Sequence, residues 1–144
     1  MLDPAKRRVE GSLVKVLAGR AEDAGLELDG DSGMPVRAGD IHELVTTDTD
    51  QSAAGTRIDR VGYLGFVEIG RAGVIDRYDE VLVGAHRVGI VLGFDSRRAP
   101  GPLRILIHSP RPRTGPELSL AAETPVAFRA TDHPEEPDLP RSFD

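Results

Sequence analysis

Asp79-Glu80-Val81-Leu82-Val83-Gly84-Ala85-His86-Arg87-Val88-Gly89-Ile90-Val91-Leu92-Gly93-Phe94-Asp95 is the stretch that decides the fold. Two β-branched runs flank Gly84-Ala85-His86-Arg87, the pattern of a β-hairpin with a tight turn. Gly89 and Gly93 punctuate the second arm four residues apart. On a regular strand they share a face, where a missing side chain permits a sharp bend or the close approach of another backbone. Small barrels turn their corners with such glycines. Both glycines are therefore expected on one strand whose bend closes the sheet.

Working outward, the other segments also read as strands. Val9 to Ala18 is β-branched and apolar, with Gly11 as a bulge or close-approach point. Ile41 to Thr47 has strand residues and no helix cap. Val61 to Ile69 places Val61, Tyr63, Val67 and Ile69 on one face and Leu64 and Phe66 on the other by simple alternation. Leu103 to His108 and Pro125 to Ala130 complete the set. The only helix candidates are Pro4 to Val9 and Glu117 to Glu123, each about two turns, and no internal repeat is present. The expected architecture is all-β: a small closed or nearly closed β-barrel of about seven strands, which removes exposed edges. A β-sandwich is the alternative.

Length and composition fit that reading. The chain has 144 residues, 18 Lys and Arg, 24 Asp and Glu, and a net charge of −6. This is one ordinary domain, expected over residues 1–131. Residues 132–144 are acidic and punctuated by Pro134, Pro137 and Pro140, the composition of a loose tail. No apolar run reaches the length of a membrane span. The N-terminus lacks the apolar stretch of a secretory signal, so the expected location is cytoplasmic. The lack of cysteine removes disulfides, thiolate metal sites and cysteine nucleophiles. Only Lys6 and Lys15 are lysines, and this arginine bias, with abundant Ala, Gly and Asp, goes with a GC-rich bacterial genome.

Motifs of strong chemistry are missing: no Walker loop, dinucleotide fingerprint, nucleophile elbow or His-Glu-x-x-His. No cofactor is expected. Asp40 and His42 share a strand face, but no third ligand is specified, so no metal is expected. The acidic loops Asp29-Gly30-Asp31-Ser32-Gly33 and Asp48-Thr49-Asp50 lack the later Glu of a calcium loop and read as turns.

Candidate groups for acid–base or binding work remain. Pro102 has no N–H for a ladder, so the strand after it begins at Leu103. Leu103, Ile105 and Ile107 then form the core face, and Arg104, Leu106 and His108 the other. If that second face looks into a barrel lumen, Arg104 supplies a carboxylate fork and His108 a proton carrier. In Val74 to Glu80, alternation groups Asp76, Tyr78 and Glu80, and Arg77 with Asp79. Tyr63 is a mid-strand phenol whose hydroxyl needs a partner if buried. His86 reads as a solvated turn residue. Between Ser96 and Pro116 lie Arg97, Arg98, Arg104, Arg111 and Arg113 and no acid. Such a basic face steers anions, but an acidic domain with few aromatics is not a nucleic-acid binder.

Arg8-Val9-Glu10-Gly11-Ser12-Leu13-Val14-Lys15-Val16-Leu17, His42-Glu43-Leu44-Val45-Thr46-Thr47-Asp48, Arg60-Val61-Gly62-Tyr63-Leu64-Gly65-Phe66-Val67-Glu68 and the arm Val88 to Asp95 together resemble an uncharacterised family of small actinobacterial proteins, a domain of unknown function. The resemblance covers about residues 8 to 108 and implies no activity, so no residue role is carried over. Such families often accompany biosynthetic pathways, an analogy that slightly favours an enzyme.

Two functions are carried forward. The first is a small cofactor-free enzyme of isomerase, lyase or cyclase type acting on a small organic molecule in a barrel cavity. His42, Tyr63 and His108 are its catalytic candidates, and Arg104, Tyr78 and Asp76 its ligand-binding candidates. The second is a non-catalytic module that binds a ligand or protein through the arginine-rich face. The expected partner is a small, anionic molecule; no nucleic acid or membrane is expected, and a homodimer is allowed.

Overall fold

The computed structural model describes residues 5–131. The strands are β1 Val9–Val16, β2 Arg20–Ala21, β3 Leu26–Glu27, β4 Gly33–Val36, β5 Ile41–Thr47, β6 Arg57–Ile58, β7 Val61–Arg71, β8 Gly73–Asp76, β9 Glu80–Val83, β10 His86–Asp95, β11 Arg104–His108 and β12 Pro125–Arg129. A single 3-10 turn, Pro116–Leu118, stands where a helix over Glu117–Glu123 was expected. Residues 5–8 are not helical, and β1 begins at Val9. The expected tail, residues 132–144, lies outside the described residues.

The main sheet runs β1-β12-β9-β10-β11-β5-β7, and β1 also pairs with β7, so seven strands close into a ring. That closure decides against two separate sheets. Pairing is antiparallel except between β5 and β11, which run parallel. The hairpin forms as expected, with His86 opposite Val83 and only Gly84-Ala85 in the turn. Gly84 has φ 59°, a left-handed conformation that glycine adopts without steric cost.

All seven ring strands send apolar side chains to one buried cluster, which is the ring interior. It includes Val9, Leu13, Leu44, Leu64, Val67, Val81, Val91, Phe94, Ile105, Ile107, Val126 and Phe128. The ribbon β4–β8 contributes Val36 and Ile75 to this cluster, and the 3-10 turn contributes Leu118. A second cluster lies outside the ring, where Leu26, Leu28 and Ile58 cover Val45, Val61, Ile90, Leu92 and Leu106. Both faces of β5, β10 and β11 are thus buried, which explains their nearly unbroken apolar sequence.

Bulges alter the faces that alternation assigns. On β7, Val61 and Tyr63 join the outer cluster, whereas Leu64, Val67 and Ile69 join the interior. The switch lies at Gly65, opposite register shifts at Leu44/Val45 of β5 and Leu13/Lys15 of β1. The expected grouping of Tyr63 with Val67 therefore fails, because Leu64 is an extra residue of β7 between the partners of Leu44 and Val45, and such a bulge reverses a face. On β10 a shift between Val91 and Gly93 breaks the spacing of the two glycines. A Cβ on Gly93 would meet only the Leu28 side chain, whereas one on Gly89 would overlap the His108 carbonyl.

Candidate functional site

The end of the ring beneath β10 and β11 is closed by the segment that follows β11. Pro110 and Pro112 keep this segment out of any strand ladder. Thr46, fully buried on β5, pins it: its hydroxyl accepts the Arg113 N–H at 2.7 Å and lies 2.7 Å from the Arg113 carbonyl and 3.1 Å from that of Gly62. Gly62 lets the segment lie flat on β7, since a side chain there would collide with the Arg113 backbone. Arg20 donates to the Pro112 carbonyl at 3.0 Å, and Glu117 accepts the Thr114 N–H at 2.9 Å.

Between this segment and the start of β10 lies a cavity of about 270 Å³ lined by His86, Arg87, Val88, Gly89, Pro110, Arg113 and Leu118. No lining residue is acidic. Arg87 is paired with Glu80, which also holds Arg129 at 2.6 Å. The guanidinium of Arg113 has no hydrogen bond or ion pair among the described residues, and its Nε is buried without an acceptor. A buried donor in that state costs about 1–3 kcal/mol. Val88 and Leu118 give the cavity an apolar wall. Two other depressions, of about 550 and 340 Å³, lie on the outer surface and share Glu10 and Gly11.

The residues singled out from sequence lie elsewhere, and the structure does not bring them into one site. His42 sits at the opposite end of β5 from Thr47, the partner of His108, about 17 Å away along the strand. Its Nδ1 accepts the Leu103 N–H at 3.3 Å, which leaves the proton on Nε2, 3.6 Å from Asp40 Oδ2. Burial lowers the His42 pKa, and the neighbouring Asp40 offsets this only in part. Tyr63 packs against the outer cluster, half-buried. His108 is buried, and its Nδ1–H donates to the Thr49 carbonyl at 2.9 Å.

Leu103, Ile105 and Ile107 do form the core face, as expected. The face carrying Arg104 and His108, expected to meet lumen or water, is the outer face, and at Leu106 it lies under the second apolar layer. There Arg104 binds the buried Glu43 at 3.0 Å, with Arg98 at 3.5 Å from the same oxygen. The ring interior is apolar because alternation places Leu103, Ile105 and Ile107 inward.

The grouping of Asp76, Tyr78 and Glu80 also fails. Tyr78 adopts φ 73°, so the chain turns and alternation stops. Asp76 instead joins Asp79 around Lys6, at 2.7 and 2.5 Å, while Tyr78 packs on the outer cluster. Burial pushes the Asp79 carboxyl above its usual range, against the Asp76 N–H and Lys6, which favour its charge. Glu80 belongs with Arg87 and Arg129, which outweigh burial and hold its pKa low.

The arginine-rich face is largely consumed internally. Arg97 bridges to the fully buried Asp95 at 2.8 Å. Burial raises the Asp95 pKa, but Arg97 and the backbone N–H groups of Glu27 and Arg97 together bring it below normal. Arg98 and Arg104 are held by Glu43, so Arg111 and Arg113 alone of the five lack an acidic partner among the described residues. Sequence reasoning set His86 aside as solvated and missed Val88 and Leu118. The available signal was the acid-free run Pro110-Arg111-Pro112-Arg113 directly after a strand. Among the described residues no cluster of three metal-ligating side chains exists, and no helix is long and apolar enough to cross a membrane.

Fold and site together define an all-β protein whose seven-stranded ring encloses an apolar core and carries an arginine-lined cavity at one end. The chain belongs to a family of unknown function (DUF6917), whose model matches residues 3–129. That membership implies no activity. No curated protein matches the sequence, and no solved structure matches the fold.

Proposed function

We propose that the protein is a binding module for a small organic anion, taken up at the end of the ring rather than in its interior. The observation that carries this reading is the acid-free cavity of about 270 Å³ whose wall includes Arg113, a guanidinium without an acceptor. Ligand pockets combine apolar walls with a few placed polar groups, and Val88, Pro110 and Leu118 stand beside Arg113 in that way. The test is titration of the full chain with acetate, benzoate and inorganic phosphate, followed by calorimetry and by amide shifts of Gly89, Arg113 and Leu118. Saturable heats with shifts at these residues support binding. If no anion of the panel binds, or all shifts lie elsewhere, the reading fails.

Cofactor-free catalysis of isomerase, lyase or cyclase type is the second reading, with His42 as its acid–base group. One observation favours it: the Leu103 N–H fixes the His42 tautomer so that the Nε2 proton points towards Asp40. Tyr63 and His108 are not beside it, which ranks this reading below the first.

A further inference from the structure

We infer that the ligand of the end cavity is a monocarboxylic acid with a compact apolar body, anchored by Arg113. The inference rests on the binding reading above and names its ligand class. Of the two arginines on the cavity wall, Arg87 already has its charge matched by Glu80. Arg113 is the other, and it has no acidic partner among the described residues. One unmatched cation balances one negative charge. A carboxylate supplies that charge in a planar form that a guanidinium binds through two hydrogen bonds. A phosphate carries nearly two charges at neutral pH and would leave the second unpaired.

The rest of the wall selects the body of the molecule. Val88 and Leu118 are nearly fully buried and belong to the ring's apolar core. Pro110 adds a surface without a donor. A ligand with polar groups all round would strip their hydration against these residues without replacement. The volume, about 270 Å³, falls just below the range of drug-sized sites, so the body is small.

Anchoring also requires that Arg113 be held in place. Its backbone is fixed from both sides by the Thr46 hydroxyl and lies flush on Gly62. Thr46 is thus a positioning residue: it touches the Arg113 backbone and does not line the cavity.

The experiment compares benzoate, benzamide and inorganic phosphate by calorimetry on the full chain and on Arg113→Gln, Arg113→Lys and, as a control, Arg111→Gln, whose side chain is exposed and does not line the cavity. Benzoate should bind at least about tenfold more tightly than benzamide, because only the acid carries the charge. Arg113→Gln should lose at least about tenfold in benzoate affinity, Arg113→Lys should recover part of it, and Arg111→Gln should change it by less than about threefold. Melting curves confirm that each variant is folded. Phosphate binding tighter than benzoate overturns the carboxylate assignment while leaving anion binding in place. Equal losses in the two glutamine variants overturn the single anchor. Binding of none of the three removes both this inference and the reading it rests on.

Discussion

Gly89 of β10 lies so close to His108 of β11 that a Cβ on the glycine would overlap the histidine's carbonyl oxygen. The neighbour is backbone and has no rotamer to change. Gly89→Ala is therefore expected to cost about 3 kcal/mol or more, the upper part of the overpacking range. Gly93→Val meets a flexible Leu28 side chain instead and should cost about 1–2 kcal/mol. Denaturant midpoints at constant slope measure both. A Gly93 variant less stable than the Gly89 variant would contradict this order.

Thr46→Val keeps shape and volume but removes the hydroxyl that serves the Arg113 backbone. The Arg113 N–H then loses its acceptor in a buried site. The expected loss is about 1–3 kcal/mol, together with a downfield or upfield move of the Arg113 amide resonance. A Tm unchanged within error would show that the segment is held by other contacts.

Lys6 lies between Asp76 and Asp79, and Asp79 is almost wholly buried. Lys6→Met leaves that carboxylate without its cation. At pH 7.5 the expected cost is about 3 kcal/mol. It should shrink towards pH 4.5, because Asp79, whose carboxyl burial already pushes up, then takes a proton and no longer needs the partner. Urea unfolding at the two pH values checks this, and an equal cost at both would count against the pairing.

His42 is held neutral by burial in the folded chain, its pKa below the usual 6.5. The unfolded chain takes up a proton near that ordinary value, whereas the folded chain does so only at lower pH. The stability tied to the neutral ring is present above pH 6.5. It falls as the pH drops through that value, and levels once the folded ring also protonates. His42→Gln should flatten this part of the stability curve between about pH 7.5 and 5. If wild type and variant fall in parallel, His42 does not contribute.

The hairpin and its flanking strands were readable because β-branched runs and a glycine turn act locally. Ile41–Thr47 matched a strand end to end, and β11 and β12 began or ended within a residue of expectation. The ribbons β3–β6 and β4–β8 were not readable, since two- and four-residue pairings carry no period, and Pro35 argues against a strand. They matter, because Leu26 and Ile58 turn what looked like a solvent or lumen face of β11 into a buried one. The faces of β7 were misassigned for a different reason: the extra residue Leu64 becomes visible as a bulge only once β7 is paired with β5. The site escaped on similar grounds. His86, Arg113 and Leu118 meet only because Thr46 and Gly62 fold the segment after β11 back across the ring.

β12 stands between β1 and β9, paired on both sides. On a growing chain that strand leaves the ribosome after every other member of the ring, so β1 and β9 wait with one unpaired edge each while over a hundred residues have already been made. The ring is thus a clasp fastened last. Two waiting edges can capture each other or a neighbouring nascent chain, and the hazard lasts until Pro125–Arg129 emerge. Stalled or truncated products that stop before this strand are expected to aggregate, even though they contain nearly all of the apolar core.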